Sequence, residues 1–362
     1  MISQKIVPPA KIESELQKIW ESLSKEDTNK ANLFTLIVYS ERNNRLNFVR
    51  DTVQNLIEKF PCRIIFITYE PNSKENYLKT AVSILSPPGE DKEVACDSID
   101  IGVGKDDIEK VRYVVLPLLI PDLPVHLLWC EDPCKETELL FNLKDLSSKV
   151  IFDSETANNI FDFSKFIIKN FECKERCLVD LNWLKTEDLR DILASEFYEK
   201  EKLNILKNAT SINLIINQKE NPLIKNFSIQ AYYVIFWIAS RLDWSYKAKK
   251  VEEKVHHILF NSSDSPVEIT INIQENKSFN SGEILKIQIK AKEDDEITFE
   301  RSDNEPETLK VNSSTPEQCY IPHTFKFEKF ELGHFLANEM ITQPISDHFT
   351  KTLLKLSSVN DN

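Results

Sequence analysis

The chain has 362 residues, 41% of them hydrophobic and 28% charged, enough for two or three domains with a core that needs no disulfide or metal staple. Its formal net charge is −13, and no basic stripe relieves it, so binding to a phosphate backbone is excluded. The N-terminus lacks an apolar signal core, and the longest apolar stretch, 231–239, is far short of the ~20 residues of a spanning helix, so a cytoplasmic protein with no membrane contact is expected.

Taken in order, Pro8 and Pro9 precede a helix whose stripe is Ile12, Leu16, Ile19 and Leu23, with Trp20 beside it. A polar linker, SKEDTNKAN, covers 24–32. LFTLIVY (33–39) and RIIFIT (63–68) are continuous apolar runs, the pattern of strands covered on both faces. Between them Leu46, Val49, Val53, Leu56, Ile57 and Phe60 form a helical stripe that Pro61 ends, which implies parallel pairing through a right-handed crossover. Strands are predicted at 78–85 and 96–103, joined by a turn at SPPGEDKE. Asp106 can cap a helix through Ile108, Val111 and Val115. Pro117, Pro121 and Pro124 then impose an irregular path before a strand at 125–129. A strand at 149–153, a helix at 160–171, an extended piece at 178–181 and a Thr186-capped helix through Leu189, Ile192, Leu193 and Phe197 follow.

The third section changes character. A strand at 211–216 and an all-round apolar helix at 227–242 lead into a segment with a period of two. Val267, Ile269, Ile271 and Ile273 alternate with polar residues, as do Leu285, Ile287 and Ile289, and shorter runs surround Phe299 and Phe325. That is an antiparallel sheet with one wet face. KAKKVEEK (247–254) reads as a solvated helix face. A closing helix holds Leu332, Phe335, Leu336, Phe349, Leu353 and Leu354, broken at Pro344. The expected architecture is α/β, with a mixed, largely parallel sheet in a Rossmann-like layout, followed by a C-terminal antiparallel, β-rich α+β domain. Its expected spans are an N-terminal helix and linker (1–30), the α/β domain (31–205) and the C-terminal domain (206–362).

The chemistry of a catalyst is scarce. The chain has five glycines, and the first β–α junction, SERNNRLN, has none where a nucleotide fold brings backbone against phosphate. Gly102-Val103-Gly104-Lys105 lacks the earlier glycine and the following Ser or Thr of a phosphate loop, and reads as a strand-end turn. Two C-x3-C pairs, Cys130/Cys134 and Cys173/Cys177, have a spacing that zinc accepts, but no histidine flanks them, and isolated thiols are the better reading. The seven cysteines, an odd number, fit a reducing compartment. His256-His257 point apart on either regular structure. No catalytic residue, cofactor or metal is therefore assigned. Trp129, Trp183 and Trp244 each end an element beside polar residues, and tryptophan is enriched in binding hot spots as well as at core edges.

Several blocks together carry a resemblance. VRYVVLPLLIPDLPVHLLW (111–129), Pro61-Cys62-Arg63 before IIFI, KVIFDS (149–154), DLNWLKTEDLRDILASEFY (180–198) and FWIASRLDW (236–244) occur in this order. They resemble the glucose-6-phosphate dehydrogenase assembly protein family. Asp243 departs from a usual glycine, Asp188 from a usual tryptophan, and His126 from a more apolar residue. The resemblance implies a non-catalytic, cytoplasmic partner that binds glucose-6-phosphate dehydrogenase and allosterically promotes its active oligomer, serving carbohydrate metabolism, the pentose phosphate pathway and NADPH production. The candidate partner-binding residues from these blocks are Asp122, Trp129, Trp183, Arg190 and Trp244. The alternatives are a small-molecule-binding α/β enzyme with its site at the strand carboxyl ends, or a redox scaffold built on the C-x3-C pairs.

Overall fold

The structure is a computed structural model, and it describes residues 4–23, 29–86, 94–135, 138–171, 177–219, 223, 226–263, 265–317, 319–327 and 347–359. The turn expected at SPPGEDKE lies almost wholly outside these residues, as do most of the linker after residue 23 and the first half of the closing helix with Leu332, Phe335, Leu336 and Pro344. The chain divides into two compact units. The first takes the described residues within 1–153 and 172–181, and the second those within 154–171, 182–330 and 346–362.

In the first unit the elements are β1 (Lys5–Val7), α1 (Ile12–Leu23), β2 (Asn29–Lys30), β3 (Thr35–Glu41), α2 (Leu46–Lys59), β4 (Arg63–Glu70), β5 (Leu78–Leu85), β6 (Val94–Gly104), α3 (Val111–Val115), β7 (Val125–Trp129), α4 (Glu138–Leu146), β8 (Lys149–Phe152) and β9 (Cys177–Asp180). Their sheet runs β1-β5-β6-β4-β3-β7-β8-β9, with β2 also on β6. From β6 to β9 every pairing is parallel, whereas β5 pairs antiparallel with β6 and with β1. Counted from β3, the six parallel strands stand in the order 3-2-1-4-5-6 of a dinucleotide-binding fold. The apolar runs are buried as expected except at Leu33, which is exposed before β3 begins: Leu36, Ile37, Val38, Ile65, Ile67, Ile99, Leu127 and Ile151 have no more than trace exposure.

A buried ion cluster ties α1 to this sheet. Arg63 donates to Asp97 through Nε (3.0 Å) and Nη2 (2.7 Å), to Glu13, and to the carbonyl of Leu118 at 2.8 Å. Asp97 also accepts from the Trp20 indole at 2.6 Å and pairs with Lys30 at 2.9 Å. Burial pushes its carboxyl up, but Arg63, Trp20 and Lys30 more than offset that and hold it below its ordinary value. A carboxylate with this many donors tolerates complete burial.

The second unit holds α5 (Ile160–Asn170), α6 (Leu181–Leu184), α7 (Glu187–Glu196), α8 (Lys200–Lys207), β10 (Ala209–Asn217), α9 (Ile229–Arg241), β11 (Ser245–Val251), β12 (Val255–Asn261), β13 (Pro266–Gln274), β14 (Ile284–Ala291), β15 (Glu296–Arg301), β16 (Thr308–Ser314), β17 (His323–Lys326) and α10 (Asp347–Ser357). Its sheet runs β11-β12-β13-β10-β14-β15-β16-β17, antiparallel except for β10 with β13. The period-two segments bury their apolar face as predicted, and Phe236 of α9 packs edge-on against Phe260 of β12.

Three local readings need correction, and some elements had none. KAKKVEEK is not a helix: residues 245–251 are an exposed edge strand, and its lysines suit an edge that must not recruit another strand. Asp106 does not cap: 105–110 is a 3-10 turn with Gly104 before it, and the α-helix starts at Val111. Thr186 precedes α7, but its hydroxyl donates back to the Trp183 carbonyl and makes no cap. α4, α8 and the strands at 5–7 and 308–314 had no matching expectation.

Gly102 and Gly104 have different reasons to be glycine. A Cβ on Gly104 would stand 2.6 Å from the Glu75 carbonyl oxygen, while one on Gly102 meets nothing closer than 3.6 Å. Gly104→Ala should therefore lower unfolding free energy by ~1–3 kcal/mol, while Gly102→Ala stays within about 1 kcal/mol of wild type, as read from urea midpoints.

Candidate functional site

In a sheet of this order, the crevice for a ligand lies where the strand order reverses, beyond the carboxyl ends of β3 and β7. Their registered partners Tyr39 and Trp129 form its floor, with rings stacked at 3.8 Å and 9°. Above them the β3–α2 turn, Glu41-Arg42-Asn43-Asn44-Arg45, closes on itself. The Asn43 side-chain oxygen accepts the Arg45 backbone N–H at 2.8 Å, the local bond that lets asparagine hold a tight turn without glycine.

The segment after β7 fills the space. Glu131, 6% exposed, accepts the Glu41 backbone N–H and the Asn43 amide through one oxygen, both at 2.9 Å. Lys135 stands over this pair, 3.4 Å from Glu41 and 3.9 Å from Glu131. Behind it Arg45 and Asp153, 6% and 2% exposed, form a buried ion pair that joins the start of α2 to the end of β8. Burial raises the Glu131 carboxyl above its ordinary value, against the pull of the Glu41 N–H, Lys135 and Asn43, and the Glu41 charge adds to the rise. At the end of β4, Glu70 occupies the place from which a carboxylate reaches a ribose in such folds, and Arg42 pairs with it at 2.9 Å.

These residues do not fit a dinucleotide. A pyrophosphate needs open backbone N–H groups, close approach over glycine and no competing anion. Here the turn carries side chains at every position, and a carboxylate of the chain holds the Glu41 N–H. Glu70 alone is suitably placed. Sequence reading found the missing glycines but not Glu131, Arg45 or Asp153, because nothing in their spacing says that residues 88 to 108 positions further along the chain return to the turn.

The five sequence-derived candidates do not converge. Trp129 is 1% exposed and belongs to the floor just described. Trp183 is buried between Tyr233, Phe349 and Arg190, whose guanidinium lies 3.5 Å from its ring centroid. Arg190 is itself buried and donates to the Trp183 carbonyl and the Thr186 hydroxyl. Trp244 is 2% exposed, beside Phe260, and its carbonyl accepts from Lys355 at 2.9 Å. These four side chains lack the exposure that a partner's surface requires. Asp122 is exposed, in a turn with φ of 67°, a conformation that aspartate tolerates better than most residues.

Asp122 lies in the segment whose surface stands out. Val111, Val115 and Leu118 point inward, and Arg63 holds the Leu118 carbonyl. The opposite side presents Tyr113 at 64% and Leu116 at 55% exposure, with Pro117, Pro121 and Pro124 exposed and Leu119, Ile120 and Leu123 half-buried. The Arg112 guanidinium lies 4.5 Å from the Tyr113 ring centroid and steadies it. His126, next to this segment, is pushed down to about 4 by burial and the Lys149 charge, so at neutral pH it packs against Phe34 as an uncharged ring. Of the C-x3-C pairs, Cys130 is buried with its thiol held well above the ordinary value by burial, and Cys134 is half-buried; Cys173 and the Cys177 side chain lie outside the described residues. Among the described residues no three metal-binding side chains cluster, and no helix is long and apolar enough to cross a membrane.

Two family models match the chain. The N-terminal domain of the glucose-6-phosphate dehydrogenase subunit matches 53–165 and its C-terminal domain matches 176–350. The chain is similar to the OxPP cycle protein OpcA of Synechocystis, 24% identical over 205 residues, covering 55% of this chain and 42% of that protein. It is similar to the protein of the same name from Nostoc punctiforme, 24% identical over 214 residues, covering 56% and 43%. It thus spans less than half the length of these relatives. Among solved structures, a 3-ketoreductase from Actinomadura kijaniata, in complex with NADP, shares the fold with a TM-score of 0.52 at 6% identity over 91% of this chain and 95% of that one.

The buried carboxyl of Glu131 sets a pH test. Its folded pKa lies above the unfolded value, so its neutral form is favoured by folding; that stability is full below the ordinary glutamate value and is lost as pH rises through the folded value. Glu131→Gln keeps an accepting oxygen and has no charge to bury. The variant should gain stability relative to wild type as urea titrations move from pH 4 to pH 8, a difference that stays constant if Glu131 carries no buried charge.

Proposed function

The chain belongs to the glucose-6-phosphate dehydrogenase subunit family, also known for the assembly of that enzyme, and from that premise we propose that it is a non-catalytic assembly factor and allosteric activator. It binds glucose-6-phosphate dehydrogenase in the cytoplasm and favours the enzyme's active oligomer. The observation that carries this reading is the filled crevice: the place where this fold keeps its chemistry is taken by Glu131, Asn43, Arg45 and Asp153 of the chain itself. A protein without a working crevice acts through its outer surface.

The surface we assign to the contact is the ridge from Tyr113 to Pro124. Tyrosine and arginine are enriched at interface centres, the exposed leucine and prolines add apolar surface beside them, and the buried Val111, Val115 and Leu118 hold the ridge in one shape before binding. Asp122 sits on this ridge, whereas Trp129, Trp183, Arg190 and Trp244 support the fold beneath the surface. Activation needs only a difference in affinity between the active and inactive forms of the enzyme. A preference of ~1–3 kcal/mol gives roughly 5–150-fold coupling.

The test mixes the purified chain with glucose-6-phosphate dehydrogenase of the same organism. Co-elution and a shift in the enzyme's sugar-phosphate saturation curve are expected; independent elution with unchanged kinetics overturns the reading. Tyr113→Ser with Leu116→Ser should weaken binding roughly tenfold or more, ~1.4 kcal/mol, while the melting temperature stays near that of wild type. Trp183→Phe should do the reverse, lowering stability and leaving affinity unchanged.

A further inference from the structure

The strand order of the first sheet builds a dinucleotide crevice, and the residues in it contradict that use. In a working crevice of this kind, a phosphate takes the backbone N–H groups at the end of the first strand and the start of the following helix. Here the N–H at the end of the first strand already holds an anion. The Glu131 carboxylate binds the Glu41 N–H and the Asn43 amide at 2.9 Å each, and Lys135 lies over it as a cation would lie over a phosphate. Two residues after Asn43, the Arg45 guanidinium, at the N-terminal boundary of α2, is paired with the Asp153 carboxylate. At the ribose position Glu70 is paired with Arg42.

We infer that carboxylates of the chain stand in for the phosphates of a dinucleotide, so that the crevice is closed from within and binds neither nicotinamide cofactor. The chemistry is that of a substituted ligand. Carboxylate and phosphate take the same charge-assisted hydrogen bonds from backbone N–H, amide, lysine and arginine. A carboxylate on the chain is present at fixed effective concentration, so a free anion must displace it to enter. Two acidic side chains in the crevice also repel any second anion.

Closure of this kind stiffens the site. Glu131 joins the end of β7 to the β3–α2 turn, and Asp153 joins the end of β8 to α2, so the elements that would part to admit a ligand are tied together. It is independent of what the Tyr113 ridge binds.

The test is calorimetric titration of the full chain with NADP+, NAD+ and inorganic pyrophosphate at neutral pH and low salt. Wild type should give no saturable binding of any of the three at millimolar concentration. Glu131→Gln removes the stand-in charge and should bind pyrophosphate at least tenfold more tightly than wild type, with affinity falling as salt rises. Adding Asp153→Asn should strengthen that gain by removing a second negative charge from beside Arg45. Saturable micromolar binding of either cofactor to wild type overturns the inference. So does a Glu131→Gln chain with a wild-type far-ultraviolet spectrum and cooperative melt that still ignores pyrophosphate. Because the wild-type titration needs no variant, the inference is decided even if the Asp153 variant fails to fold.

Discussion

A crevice at the end of a parallel sheet exposes strand-end and helix-start N–H groups whose hydrogen bonds must be met by a ligand, by water or by the chain. This protein meets the strand-end N–H of Glu41 with its own Glu131 carboxylate and the Arg45 N–H with the Asn43 side-chain oxygen. The Glu131 bonds to Glu41 and Asn43, and the Arg45–Asp153 pair, lock β3, α2, β7 and β8 into one rigid end. An ion pair this buried gives little net stability against an apolar alternative, but losing one partner would leave a buried charge unmet. The arrangement therefore favours one geometry more than it adds free energy. The sheet keeps the strand order of a dinucleotide-binding fold, while a carboxylate of the chain holds the Glu41 N–H where that order reverses.

The same logic explains why the blocks that resemble the family lie mostly beneath the surface. Trp183 with Arg190, Trp244 with Phe260, and Trp129 with Tyr39 are packing units. They hold strand and helix ends in place. The segment from Tyr113 to Pro124 combines such anchoring with an exposed apolar side. Its inner residues reach the sheet, and Arg63, held by Asp97 and Glu13, fastens the Leu118 carbonyl. Preorganisation of this kind limits the entropy lost when a partner docks.

What the sequence determined by itself was the local and the periodic. Continuous apolar runs at 33–39 and 63–68 around a helical stripe made parallel β-α-β unavoidable, and the alternation at 267–273 and 285–289 marked a sheet with one wet face. The glycine-free turn after the first strand already spoke against phosphate, and the ordered motif blocks pointed to the family. Tertiary structure decided everything that depends on segments far apart. β10 pairs parallel with β13, and 245–251 is an edge strand because β12 offers it partners, although its lysines suit a helix surface equally well. No local pattern tells that Trp183 meets Tyr233 and Phe349, or that Glu131 crosses 88 residues to the Asn43 amide. Periodicity says which side of an element is apolar; only the folded chain says which other element, or which solvent, that side and its charged neighbours will meet.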